Sequence, residues 1–133
     1  MRLSKSLGRL IFVWVLATTA HGFAQTNALP QISAIEATNY LNQQVVVVDK
    51  VVQVAMRSNI WLLHLNQRYP KSPLNAVIRK GDTNNFPDIN VYLGQRVEIT
   101  GRITEYRGRL ELAMTGTNQI KILAGMEIGR AHV

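Results

Sequence analysis

Ten side chains in this sequence have the types that engage a polyanion: Trp61, Arg68, Tyr69, Lys71, Arg79, Lys80, Arg102, Tyr106, Arg107 and Arg109. Guanidinium and ammonium groups neutralise phosphates, and aromatic faces stack on bases. Cations interleaved with aromatics are therefore what single-stranded nucleic acid asks of a protein. Each residue also has a plainer reading. Trp61 shares parity with Leu63 and Leu65, so it suits a core as well as a platform. Tyr69, before Pro70, can simply pack its own loop. Tyr106 can shield one end of a barrel with Arg109 stacked on it, and the arginines can be a solvated rim.

Catalytic chemistry is thin by comparison. His21 falls in a leader and His132 in an anomalous tail, which leaves His64. One histidine, with no cysteine and no carboxylate cluster, makes no zinc site. A nucleophilic dyad would have to join His64 to Ser33, Ser58 or Ser72, and none of these sits in a Gly-x-Ser-x-Gly context. His64 thus reads as an ordinary polar residue on a strand. Metal-dependent nucleases need several converging carboxylates. Here Glu36, Asp49, Asp82, Asp88, Glu98, Glu105 and Glu111 are scattered singly. Glu98 and Glu111 can approach each other, but Arg102 and Arg109 beside them point to a surface ion-pair lattice. The glycines are spaced as turn and bend residues, not as a phosphate loop. The expectation is a binding protein without catalytic residues, metal or cofactor.

The elements that must position the cations and aromatics are mostly strands. Val97, Ile99 and Ile103 alternate with Arg96, Glu98, Thr100, Arg102 and Thr104, the period of a strand with one buried face. Gly101 interrupts it and suggests a bulge or bend. Arg107-Gly108 reads as a tight turn into a second alternating run, Arg109 to Met114. A two-residue loop sets Tyr106 opposite Arg109, Thr104 opposite Glu111 and Ile103 opposite Leu112. Cross-strand partners share a face. Ile103, Leu110, Leu112 and Met114 then point inward, and Arg102, Thr104, Tyr106, Arg109 and Glu111 outward.

Upstream, Ser33 and Glu36 form a capping-box pair before a short helix with Ile32, Ile35, Tyr40 and Leu41 on its apolar side. Val45 to Met56 is a β-branched run whose four consecutive valines suggest burial on both faces. Strands follow at Ile60–Leu65 and Leu74–Arg79, joined by a loop rich in turn formers. Residues 80–87 read as a turn with about one helical turn, and Ile120–Leu123 as a last short strand. Five antiparallel strands with a helical insert between the third and fourth fit a Greek-key OB barrel, all-β with short helices. Its binding face lies on strands 2 and 3, flanked by the loops after strand 1 and between strands 4 and 5. Trp61 and Arg79 fall on those strands, and Tyr106, Arg107 and Arg109 at the latter loop.

The chain has 133 residues, enough for one domain. Arg2, Lys5 and Arg9 precede an apolar run from Leu10 to Ala20 and the small-residue site Gly22-Phe23-Ala24, the pattern of a signal peptide cleaved after Ala24. The run is short for a membrane span, which takes about 20 residues. Residues 25–31 form a linker, 32–123 the OB domain and 124–133 a tail whose end resembles translated adapter sequence. Without the leader, 12 cationic and 8 acidic residues leave a net charge of +4, compatible with an anionic partner without demanding one. Absence of cysteine removes disulfides and thiol catalysis, so stability must come from the core.

The run Trp61-Leu-Leu-His-Leu-Asn-Gln-Arg-Tyr-Pro70, then Ala76-Val-Ile78, Phe86-Pro87 and Tyr92-Leu-Gly94, leads into Val97-Glu-Ile-Thr-Gly-Arg-Ile103, Tyr106-Arg-Gly108 and Leu110-Glu-Leu112. Together these resemble the exported bacterial OB-fold domains of nucleic-acid-binding type. The resemblance covers about residues 32–123. It departs at Asp49, where the family usually carries a glycine. It implies an OB fold, a periplasmic or secreted location and nucleic-acid binding, the last by fold analogy. The leading expectation is weak, salt-sensitive binding of single-stranded DNA or RNA by Trp61, Arg68, Tyr69, Lys71, Arg79, Arg102, Tyr106, Arg107 and Arg109. The alternatives are a module that docks another exported protein or an envelope polymer, and an accessory domain of a nuclease system.

Overall fold

A computed structural model describes residues 28–123. The leader and tail readings fall outside those residues. The strands are β1 (Gln31–Ile32), β2 (Gln44–Met56), β3 (Ile60–Leu65), β4 (Leu74–Arg79), β5 (Arg96–Tyr106), β6 (Arg109–Ala113) and β7 (Ile120–Ile122). The sheet thus has seven strands: five of the expected barrel, the short terminal strand expected at Ile120–Leu123, and β1, which was not expected. The two additions are short. β1 runs parallel to β2, and β7 pairs antiparallel with β5.

The other five pair in the circular order β2–β3–β4–β6–β5, and β5 returns to β2. One long strand makes the return possible. β2 pairs with β5 over Gln44–Lys50 and then with β3 over Val51–Met56, with a register shift between Val51 and Gln53. A bulge turns a strand sharply, which lets β2 serve both sides of the ring. β4 and β6 are parallel, so the chain between them must cross over. The crossover consists of two 3-10 segments, Lys80–Asn85 and Ile89–Tyr92, followed by β5. It delivers Phe86, Ile89 and Tyr92 to the core.

The inward positions of the ring form that core: Val45, Val47 and Val51 from β2, Leu63 and Leu65 from β3, Leu74, Ala76 and Ile78 from β4, Val97, Ile99 and Ile103 from β5, and Leu112 from β6. Val46 and Val48, expected to be buried on the outer side too, stay half-exposed there. The hairpin register is the one that the alternation predicts, with Tyr106 opposite Arg109, Thr104 opposite Glu111 and Ile103 opposite Leu112. Arg107 and Gly108 both take positive φ, at 53° and 79°. That is the backbone of a type I′ turn, whose twist matches the flanking strands.

Three local readings change. The first helix is a 3-10 segment, Ala34–Tyr40. With three residues per turn, positions 34, 37 and 40 align. Ala34 and Ala37 are buried and Tyr40 packs on the core, while Ile35 and Leu41 face solvent. The Glu36 carboxylate does accept from the Ser33 N–H at 2.7 Å. Gly101 marks no bulge, because its pairing with Val45 is in continuous register. It is buried where β5 passes from β2 to β6, and a Cβ there would stand 2.5 Å from Leu112 Cδ2. Asp49 occupies an inward position and is buried. Its carboxylate accepts from the Ala34 N–H at 2.9 Å, the Lys50 N–H at 2.8 Å and the Asn66 amide at 3.3 Å. A buried carboxylate survives only with such partners, and these tie the first 3-10 segment and the loop after β3 to the barrel wall.

Candidate nucleic-acid interface

The outer face of β3, β4 and β6 carries the side chains of opposite parity to the core. Ile60, Leu62 and His64 stand opposite Arg79, Val77 and Asn75 across β3 and β4. Asn75 in turn stands opposite Glu111 on β6, and Glu111 opposite Thr104 on β5. This face divides into an open half and a covered half.

The open half is a groove of about 280 Å³ lined by Asn59, Ile60, Arg79 and Tyr106. Arg79 Nη2 donates to Glu111 Oε1 at 3.0 Å; the arginine side chain is 50% exposed and the glutamate 9%. A nearly buried carboxylate therefore fixes the guanidinium and leaves its solvent side available. Tyr106 is 52% exposed. The Arg107 guanidinium lies over its ring, 5.1 Å from the centroid, a cation–π geometry. The backbones of Arg57 and Lys80 adjoin the groove's lining residues, since the Arg57 N–H donates to the Ile60 carbonyl at 3.0 Å and the Lys80 N–H to the Asn59 carbonyl at 3.2 Å.

The covered half lies under the loop from Asn66 to Pro73. On one side the Tyr69 N–H donates to Gln53 Oε1 on β2 at 2.8 Å, and Arg68 reaches the Val52 carbonyl at 3.5 Å. On the other side both terminal nitrogens of Arg109 donate to the Pro70 carbonyl at 3.3 Å. The Arg109 guanidinium also sits 4.9 Å from the centre of the Tyr69 ring. Beneath the loop His64 is only 2% exposed, with its ring 5.9 Å from that of Tyr69. Its Nδ1 is 2.7 Å from Asn75 Oδ1, which also accepts from the Ser72 hydroxyl at 2.8 Å. An amide oxygen only accepts, so Nδ1 carries the hydrogen. Burial, more than anything else, holds the His64 pKa below its ordinary 6.5. Asn75 opposes that shift, and Arg109, Arg57 and Arg68 add to it.

The residues read from the sequence thus separate. Arg79, Tyr106 and Arg107 meet at the groove. Arg68, Tyr69 and Arg109 belong to the covering loop and its anchors, and Lys71 lies within that loop, exposed. Trp61 is a correction: it is half-buried against the core on the inward side with Leu63 and Leu65, and presents no platform on the outer face. Arg102 is a second, because its guanidinium donates to the Asn42 carbonyl, in the turn before β2, and not into the groove. The ion-pair lattice is a third. Glu111 pairs with Arg79 and Glu98 with Lys121, instead of with Arg102 and Arg109. His64 is buried, with Nδ1 bonded to Asn75, where an ordinary polar residue was expected. Asn59, Ile60 and Arg57 were not singled out from the sequence. The signal for them was the turn at residues 57–59 after β2 and the start of β3 at Ile60, at the rim of the face. Among the described residues no group of three His, Cys, Asp or Glu side chains stands close enough to hold a metal ion, and no helix is long and apolar enough to cross a membrane.

No protein-family model matches the sequence, and no curated protein matches it. Among solved structures the chain is similar to aspartyl tRNA synthetase from Entamoeba histolytica, with a TM-score of 0.52 and 15% identity, over 92% of this chain and 24% of that one. It is also similar to OBody AM1L10 bound to hen egg-white lysozyme, with a TM-score of 0.50 and 17% identity, over 64% of this chain and 82% of that one. At such identities the likeness speaks for the fold alone. With the ring of strands it defines an OB-like, mostly β domain with short helices. The resemblance to exported bacterial domains gains no support from these comparisons.

Proposed function

We propose that this chain is an exported OB-like binding module that takes single-stranded nucleic acid, without catalysis, on the outer face of β3, β4 and the β5–β6 hairpin. The observation that carries this reading is the groove, where the Arg79 guanidinium and the Tyr106 ring line one cavity and Arg107 stacks beside them. An arginine held by a buried carboxylate gives a phosphate a fixed partner. A half-exposed tyrosine gives a base a stacking surface. The groove lies at the small end of ligand sites, which run from about 300 Å³ upward, so it suits one flipped-out base and not a duplex. The strand ring is read as a five-strand Greek-key OB barrel, with β1 and β7 as additions. Export rests on the cationic, then apolar, leader of residues 1–24. That an aspartyl tRNA synthetase shares the fold accords with an RNA ligand.

The test is a fluorescence-anisotropy titration of the full chain with labelled single-stranded DNA and RNA at low salt. Saturable binding is expected, reduced at least tenfold in the double variant Arg79→Gln/Tyr106→Ala, with the oligonucleotide intact after incubation with magnesium. Absence of binding at low salt, or equal binding by the double variant, would refute the reading.

A further inference from the structure

The loop over the covered half is built like a strap. It is fastened to β2 through Gln53 and Val52, to β6 through Arg109, and it passes over β3 and β4, where His64 and Asn75 lie. Its fastenings to β2 and β6 are hydrogen bonds between exposed groups and one cation–π stack, and its two ends are held by Asn66 on Asp49 and by the buried Ser72 on Asn75; none of them is a buried apolar contact. Segments held in this way open at lower free energy than the core. What the strap hides is a titratable ring.

We propose that the Asn66–Pro73 loop is an acid-released strap, closed over neutral His64 and opened when that ring takes a proton. The geometry gives the reason. An imidazolium at this position would be shut away from water among like charges: Arg57 at the end of β2, Arg68 on the strap and Arg109 on β6. From β4 it meets only the neutral Asn75, and Arg79 further along that strand already holds Glu111, the carboxylate of this face. The Tyr69 ring lies above it. Nδ1 already donates to Asn75, so the added proton goes to Nε2, for which the described residues offer no hydrogen-bond acceptor. Lifting the strap lets water solvate the cation and moves Arg68 away.

The sign follows from linkage. The closed state disfavours the protonated ring and the open state does not, so closure is complete above the ordinary histidine pKa of about 6.5 and weakens as pH falls below it. If the closed state does not titrate at all, the open fraction at pH 5 rises by at most about thirtyfold over its neutral value. Opening frees the Arg109 guanidinium from Pro70 and from the already exposed Tyr69 ring, on the face next to the groove. This last consequence rests on the nucleic-acid reading; the strap itself does not.

Amide hydrogen exchange on the full chain, corrected for intrinsic rates, tests the strap without any ligand. Between pH 7.5 and pH 5 the Tyr69 and Lys71 N–H groups are expected to lose protection severalfold, up to the thirtyfold ceiling, while Leu63 and Ile99 in the barrel stay protected. In His64→Gln the strap's protection is expected to be independent of pH. Should that variant not fold, an NMR titration of the native chain replaces it: His64 must titrate below 6.5, with the Tyr69 ring signals following the same curve, and Tyr69→Ala must return His64 toward its ordinary value. Unchanged strap protection at pH 5, an equal loss in His64→Gln, or a His64 titration that leaves Tyr69 unmoved would overturn the proposal.

Discussion

The groove makes a quantitative claim about salt. Three cations next in the chain or in space to its lining residues have no carboxylate partner among the described residues: Arg57 and Lys80, whose backbones bond to Ile60 and Asn59, and Arg107 over Tyr106. Arg79 is already paired with Glu111, so a phosphate meeting it releases little counterion. Each phosphate of a single strand neutralised by a free cation contributes about −0.7 to the slope of log affinity against log salt. Three such contacts give a slope of about −2. Between 50 and 200 mM salt the affinity should then fall by about 18-fold. Two substitutions separate the charge contribution from the stacking one. Arg107→Gln removes one cation and should flatten the slope to about −1.4. Tyr106→Ala removes the stacking surface and should weaken binding by about 1–3 kcal/mol at every salt concentration, with the slope unchanged. Anisotropy titrations of the three proteins over a salt series measure both quantities. A wild-type slope near zero, or an Arg107→Gln slope equal to the wild type, would refute the assignment of these cations to the ligand.

Other expectations concern the frame that holds the groove. Gly101→Ala should cost about 1–3 kcal/mol, because the new Cβ would stand 2.5 Å from Leu112 Cδ2 in a filled core. Leu112→Ala alone should cost about 2–5 kcal/mol, and the double variant at least 1 kcal/mol less than the sum, since each change relieves the other; urea unfolding of the four proteins would show additivity if the packing argument is wrong. Asp49→Ala leaves the Ala34 and Lys50 N–H groups without their carboxylate and should cost about 2–4 kcal/mol in the same assay, whereas a loss under 0.5 kcal/mol would mean that water replaces it.

How much of this was legible depended on sequence distance. The β5–β6 hairpin was readable to the residue, because a two-residue turn fixes the register and alternation fixes the face. The limits of β3 and β4 were readable for the same reason, as alternating or continuous apolar runs ended by turn formers. The first helix was misread because its apolar positions were scored as an α-helix's, while the backbone runs at three residues per turn and buries two alanines. Gly101 was misread because a glycine in a strand has two physical causes, backbone conformation and space, and alternation alone does not separate them. The polar partners were the least legible. Arg79 finds Glu111 at a separation of 32 residues and Arg109 finds Pro70 at 39. Such pairs follow from the parallel β4–β6 contact and the path of one loop, neither of which has a local signature.

Those partners decide what a charge on this face is for. Counted by type, the outer face offers a band of arginines and tyrosines, and every one of them looks like a ligand contact. Counted by engagement, Arg109 and Tyr69 hold each other and the strap, Arg102 holds the turn before β2, and the groove residues keep a side free for a visitor. Loss of binding in Arg109→Ala would therefore not identify a phosphate contact. The substitution unfastens the strap from β6, uncovers His64 and changes the face beside the groove, so it should shift strap exchange before it shifts the salt slope. Arg107→Gln should do the reverse, because its guanidinium rests on Tyr106 alone among the described residues. Only Gly108 separates the two arginines, one in the turn and the other at the start of β6, and the fold gives Arg109 to the strap and Arg107 to the Tyr106 ring beside the groove.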